Sequence, residues 1–162
     1  MKNQVREIVE DCLANITPDE LNTLTDLLRG FQKKQQNINN SYVDALMHME
    51  KTMTNEQCEI TVPISPLLNN SFGIVHGGIT ATIIDTAMGT LANFLLPEGY
   101  GAVTTQLNIH YLSVGKGDYI QCKAHLEHKG TKTMVMSAYV YRSDGKKMAH
   151  ATGSFFIIRK NN

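Results

Sequence analysis

Hydrophobic and polar positions change period twice along this chain. Between residues 3 and 14, Val5, Ile8, Val9 and Leu13 recur at helical spacing. Thr17-Pro18-Asp19-Glu20 is a helix-start signal, with Thr17 as N-cap, Pro18 in the first turn and Glu20 placed to bond back. The helix it opens carries Leu21, Leu24, Leu27, Leu28 and Phe31 as a narrow apolar stripe. It then decays into the polar run Gln32 to Asn40, which reads as a linker. Ser41 to Met47 adds a helical turn or two. Beyond it the period shortens, and Met47 to Met53 and Glu56 to Ile64 read as two strands joined around Thr54-Asn55, with Pro63 and Pro66 ending the second.

The chain is organised around Asn70 to Leu96. This stretch begins as a loop, turns at His76-Gly77-Gly78, and continues as a helix apolar almost all round, with Asp85 as its one carboxylate, until Pro97-Glu98-Gly99 closes it. Four long strand-like stretches follow: Ala102 to Leu112, Tyr119 to Lys129, Thr131 to Arg142 and Lys146 to Arg159. They are broken at Val114 to Asp118, at Gly130, and at Ser143-Asp144-Gly145, whose Asp-Gly pair is a strong hairpin signal. In the first of them Val103, Thr105, Leu107, Ile109 and Tyr111 alternate with Ala102, Thr104, Gln106, Asn108 and His110, which predicts two faces. The order predicted is strand, strand, long helix, then four strands in sequential hairpins. A helix apolar on all sides must be covered on most of them. The expected class is therefore α+β: an antiparallel sheet wrapped around a long central helix, the hotdog arrangement, over residues 41–162, with residues 1–40 as an N-terminal helical extension.

Composition narrows the setting. A chain of 162 residues is long enough for a real core. Its 15 basic and 15 acidic residues cancel, which argues against nucleic acid as a partner. Two short helices before a hinge also suit a small DNA-binding head, but the second carries Asp19, Glu20 and Asp26 against Arg29, Lys33 and Lys34 and shows no basic recognition face; packing or an oligomer contact is the plainer reading. Cys12, Cys58 and Cys122 are odd in number and lack metal spacing, as expected for reduced thiols in the cytoplasm. The start of the chain is charged, without the apolar run of a signal peptide, and Asp85, Asn93 and several threonines make the longest apolar run too polar for a membrane span. No metal, nucleotide or other cofactor motif is present, so none is expected.

Asn70-x-x-Gly73-x-x-His76-Gly77-Gly78, with Asp85 seven residues after Gly78, resembles the signature of hotdog acyl-CoA thioesterases, nearest to the phenylacetic-acid-degradation (PaaI) type within the 4-hydroxybenzoyl-CoA thioesterase superfamily. Thr104 to Leu112 also resembles the segment that follows the helix in that family. The resemblance covers about Ser41 to Arg159. The sequence departs from the family at Gln106, where relatives often carry an acid, and at Val114-Gly115 after Ser113, where many carry Arg-Pro. It implies hydrolysis of an acyl-CoA, aliphatic or aromatic, to free acid and CoA.

Such chemistry needs a polarised carbonyl, an activated water or nucleophile, and a path for the thiolate. Amides at the helix N-terminus near Gly77 and Gly78 would stabilise an oxyanion, and glycine lets a ligand come close; a tight loop-to-helix turn explains the same glycines. Asp85, within an apolar helix, is expected to be buried and to work as general base on water or as nucleophile; a carboxylate bonded to a neighbouring threonine, or at a wet interface, is the alternative. Gly78 and Asp85 lie on nearly one helix face but about 10 Å apart along the axis, too far to serve one thioester. Two antiparallel helices, each offering its N-terminus to the other's Asp85, solve this, so a homodimer or homotetramer with shared sites is expected. The resemblance further implies that Asn70 orients the carbonyl or water, that His76 holds the thioester end, and that Thr104 positions water or the aspartate. It places the nucleotide of CoA near Lys129, Gly130 and Lys132, where lysines on a solvated hairpin are the simpler alternative. The rival function is a non-catalytic hotdog acyl-CoA sensor or regulator. A dehydratase is disfavoured because its His-Phe-Pro type of motif is missing.

Overall fold

The computed structural model describes residues 1–160 and divides into two compact units, Met1–His48 and the remainder from Met49.

The first unit is helical. Helix α1 (Lys2–Leu13) buries none of its side chains and has no side-chain cap. Helix α2 (Pro18–Gln35) opens with a full capping box: Glu20 N donates to Thr17 Oγ1 while Glu20 Oε2 accepts from Thr17 N at 2.9 Å. The Thr17 bonds hold the Glu20 carboxyl below the usual carboxylate range. The helix continues to Gln35, so the first part of the expected linker belongs to it and residues 36–40 lie outside. A short helix α3 (Tyr42–Leu46) packs on α2 at Gly30, where a Cβ would meet the Ala45 carbonyl oxygen at 2.7 Å. His48 locks the same face: its Nδ1 accepts from Lys33 Nζ at 3.2 Å and its Nε2–H donates to Asp26 O at 3.0 Å. Both bonds together require the neutral Nε2–H tautomer.

The second unit is a six-stranded antiparallel sheet around one helix. Strands β1 (Glu50–Met53) and β2 (Gln57–Pro63) form a hairpin. A single 3₁₀ turn (Pro66–Leu68) and a loop lead to α4 (Gly77–Phe94), which is followed by β3 (Tyr100–Tyr111), β4 (Tyr119–Lys129), β5 (Thr133–Arg142) and β6 (Lys147–Arg159). The sheet order is β1-β2-β4-β5-β6-β3. The expectation of four strands in sequential hairpins is therefore corrected. Only β4, β5 and β6 follow one another as hairpins; β3 pairs with β6 at the far edge, Tyr100 against Arg159 through Tyr111 against Ala149.

The apolar character of α4 is explained by its cover. Ile83, Ile84, Ala87, Met88, Leu91 and Ala92 are wholly buried, as are Ile60, Ile120, Cys122, Met134, Met136 and Val140 on the sheet. Helix and β6 approach so closely at Gly153 that a Cβ there would lie 2.9 Å from Met88 Sδ. The thiols are free, and burial pushes Cys58 up to about 11 and raises Cys122 as well, which removes both as nucleophiles. We expect Met88→Ala to cost roughly 2–5 kcal/mol through lost burial and a residual cavity, read as a lowered urea midpoint with an unchanged slope.

Candidate active site

The loop before α4 is folded by its own polar groups. Asn70 Oδ1 accepts from Phe72 N at 2.9 Å and the Asn70 backbone N–H donates to Ile74 O at 2.8 Å. Gly73 sits at φ +70° in this turn, a conformation that glycine adopts without strain. His76 N then donates to Leu68 O at 2.8 Å, and Val75 N to Gly115 O at 3.0 Å, which ties the loop down immediately before the helix. The Asn70 oxygen is thus spent on the loop, and its amide nitrogen is the end that remains for a ligand.

His76 is the N-cap of α4. Its Nδ1 accepts from Gly78 N at 2.8 Å, so the proton of the neutral ring lies on Nε2. This bond separates the two glycines. The Gly78 amide is engaged, while the Gly77 amide has no acceptor among the described residues and points where the helix dipole is most positive. The Gly77 carbonyl is held by a residue that sequence reasoning assigned no role: Tyr111 Oη donates to Gly77 O at 2.8 Å. Asn70, Val75, Gly77, Tyr111, Val114 and Met148 line a largely apolar cavity of about 360 Å³ beside this helix end.

Asp85 lies two turns along α4. It is half-buried rather than sealed in the core, because the helix face it occupies is the one the sheet leaves partly open. Its Oδ1 accepts from Thr104 Oγ1 at 2.8 Å. A hydroxyl donating to an ionised carboxylate is among the stronger hydrogen bonds. It holds Asp85 through Oδ1 and leaves Oδ2 uncommitted.

Thr104 and Tyr111 are seven residues apart on β3, yet both reach α4. Alternation alone forbids this, since positions an odd number apart face opposite ways. A register shift between Thr104 and Gln106 against β6 resolves it. The expected single-phase strand is corrected accordingly. Thr104, assigned to the face opposite Tyr111, bonds Asp85 on the same helix that Tyr111 reaches at Gly77.

Lys129, Gly130 and Lys132 stand at the other end of α4. Lys129 Nζ donates to Leu95 O at 2.6 Å, capping the C-terminus of the helix, and Gly130 N donates to Thr133 O at 2.8 Å. Lys132 is exposed. Within one chain the candidate residues therefore form three stations: Asn70, His76, Gly77 and Gly78 at the helix start, Asp85 with Thr104 in its middle, and the lysine turn at its end. Eighteen residues of helix span about 27 Å, so the first and third stations do not meet in a single chain.

Residues 72–149 match the family model for the thioesterase superfamily. F42H10.6 of Caenorhabditis elegans, which carries an esterase name, is 31% identical over 143 residues, 86% of this chain and 81% of that protein. The chain belongs to the thioesterase superfamily. It is a thioester hydrolase with a hotdog fold. Human acyl-coenzyme A thioesterase 13 is 36% identical over a shorter stretch of 70 residues, 43% of this chain and 49% of that protein. Among solved structures, the BH2602 protein from Bacillus halodurans, crystallised with CoA, superposes with a TM-score of 0.88 at 38% identity, covering 94% of this chain and 99% of that one.

Because the observed contribution of His76 is a cap, its role is separable. His76→Ala should lose about 1 kcal/mol of stability, whereas His76→Asn, which can accept from the same amide, should recover most of it in a denaturant titration. If thiol release follows stability through the two variants, the imidazole serves the helix start; if His76→Asn is stable but inactive, the ring itself contacts substrate.

Proposed function

We propose that the protein hydrolyses acyl-CoA thioesters to the free acid and CoA. The observation that carries this reading is Asp85 itself: a carboxylate on an apolar helix, held by the Thr104 hydroxyl with one oxygen uncommitted. The similarity to a protein crystallised with CoA and to an acyl-coenzyme A thioesterase supports the substrate class.

In the proposed reaction the Gly77 amide receives the thioester oxygen as negative charge develops on it. Asn70 Nδ2 orients the carbonyl. Asp85 Oδ2 either takes a proton from water, whose oxygen then attacks the carbonyl carbon, or attacks that carbon directly to give an anhydride that water opens. In both routes the C–S bond breaks and CoA leaves as the thiolate, which takes up the proton that water gives: the one held on Asp85 in the first route, the one freed when water opens the anhydride in the second. Gly77 and Asp85 of one chain are about 12 Å apart along the helix, so the site is completed by antiparallel pairing of two α4 helices, each Gly77 serving the other's Asp85. The exposed edge strand β3 is available for that pairing. The same arrangement brings the Lys129–Lys132 turn of one subunit beside the helix start of the other, where the lysines would meet CoA phosphates. Catalysis then belongs to the hotdog portion, residues 41–162, in a homodimer or homotetramer. A cytoplasmic setting fits the free thiols; no helix among the described residues is long and apolar enough to cross a membrane.

The test is thiol release from short, medium, long-chain and aromatic acyl-CoAs. Asp85→Ala should lower kcat at least a hundredfold, about 3 kcal/mol of barrier, and Thr104→Val should lower it less while leaving KM nearly unchanged. Tight acyl-CoA binding without turnover in the wild type would replace the hydrolase with a sensor. Rapid quenching of a single turnover with labelled acyl-CoA distinguishes the two routes, because only nucleophilic attack passes through an acyl group covalently attached to Asp85.

A further inference from the structure

Helix α2 carries an apolar face that its own unit covers only in part: Leu24 is half-buried, in a cleft shared with Cys12 and Ile16, and the rest is largely exposed. The side that packs on α3 holds Asp26, Gly30 and Lys33. At 100° per residue, Leu21, Leu24, Leu28 and Phe31 project from the opposite side. Leu21, Leu28 and Phe31 are 44%, 47% and 42% exposed, although Phe31 touches the Tyr42 ring with a centroid distance of 5.6 Å. Neighbouring Leu27 is 36% exposed. Scattered surface leucines are ordinary, but a contiguous stripe along two and a half turns is not.

The pattern of the stripe selects its occupant. The intervals 21–24–28–31 are three, four and three residues, the spacing of a helix–helix seam, and they read the same in both directions about residue 26. A palindromic stripe is complementary to itself when two copies run antiparallel: Leu21 meets Phe31 of the second copy, and Leu24 meets its Leu28. The flanking charges agree. Glu20 and Lys34 lie on the same flank of the stripe at opposite ends of α2, and antiparallel pairing sets Glu20 beside Lys34 of the second copy, twice by symmetry. Parallel pairing would leave Glu20 of one copy and Lys34 of the other at opposite ends of the seam, without that contact. Lys34 Nζ also stands 5.8 Å from the Tyr42 ring, a distance that leaves the ammonium available to a carboxylate.

We infer that α2 is a self-association surface, on which the N-terminal helices of two copies of this chain pair antiparallel through Leu21, Leu24, Leu28 and Phe31. This contact is separate from the α4 pairing proposed for catalysis and stands whether or not that reading holds.

Two measurements on the full chain test it. Within one helix Glu20 and Lys34 are about 21 Å apart, so a zero-length carbodiimide link between them must join two chains. Wild-type protein should yield that Glu20–Lys34 peptide pair by mass spectrometry. In a Cys12→Ser background, Leu21→Cys/Phe31→Cys should form a disulfide-linked dimer on a non-reducing gel at least tenfold more than either single cysteine variant. Adding Leu28→Glu should remove it. The inference is overturned if neither cross-link forms, if the single variants link as well as the double one, which indicates parallel pairing, or if Leu28→Glu leaves cross-linking unchanged. Absence of both links together with a lowered melting temperature in Leu28→Glu would show instead that the stripe covers part of its own chain.

Discussion

A helix apolar on nearly every side sets the terms for the rest of this molecule. Left in water, α4 would expose a continuous hydrophobic cylinder, and no single neighbouring helix could cover it. An antiparallel sheet can, because its twist lets one layer curve around a helix and because its strands can come from distant parts of the chain. The cost of that solution is a polar group in the wrong place. Asp85 interrupts the apolar surface, and the sheet does not bury it. The edge strand β3 supplies a hydroxyl to it, and the face remains partly open. An uncompensated carboxylate at this position would be costly. The half-open face and the threonine together make it tolerable, and the same two features leave one carboxylate oxygen uncommitted.

The helix start shows a similar economy. Its first amides are unsatisfied by construction. His76 satisfies one of them through its side chain and Tyr111 fixes the carbonyl of the first residue, so the remaining donor at Gly77 is presented by a rigid framework rather than a mobile loop. A donor that need not reorganise as charge develops is worth more than one that must be gathered from solvent. The loop from Asn69 to Val75, bridged across its own base, extends that rigidity to Asn70.

Much of this was legible in the sequence wherever the governing interactions are local. The capping box at Thr17, the Asp-Gly turn at residues 144–145, the span of β4 and the extent of α4 all follow from signals within a few residues, and the structure has them. Asp85 stood out for a simple reason, since a single acid in an apolar run is conspicuous. What was not legible depends on contacts between distant positions. The pairing of β3 with β6 joins segments some fifty residues apart, and nothing in either strand names its partner. The bulge after Thr104 leaves the apolar–polar alternation readable straight through, so the strand seemed to keep one phase. His76 gave no cap signal because histidine is not among the usual N-cap residues. Tyr111 looked like one more strand aromatic. Burial of Asp85 was overestimated for the same reason: the chain tells how apolar a helix is, but not which of its faces the sheet fails to close.

The bulge has a consequence for how this scaffold can change. With it, one strand addresses two stations on the helix that a regular strand could not reach together, the carboxylate through Thr104 and the helix origin through Tyr111. The extra residue acts as a phase joint between two halves of β3. Insertions or deletions of a single residue elsewhere in the strand would rotate one half against the helix and leave the other in place, whereas changes in pairs would preserve both. Drift in the length of this edge is thus quantised: the strand can lengthen or shorten by twos while keeping its grip on both stations, and by ones only by letting go of one of them.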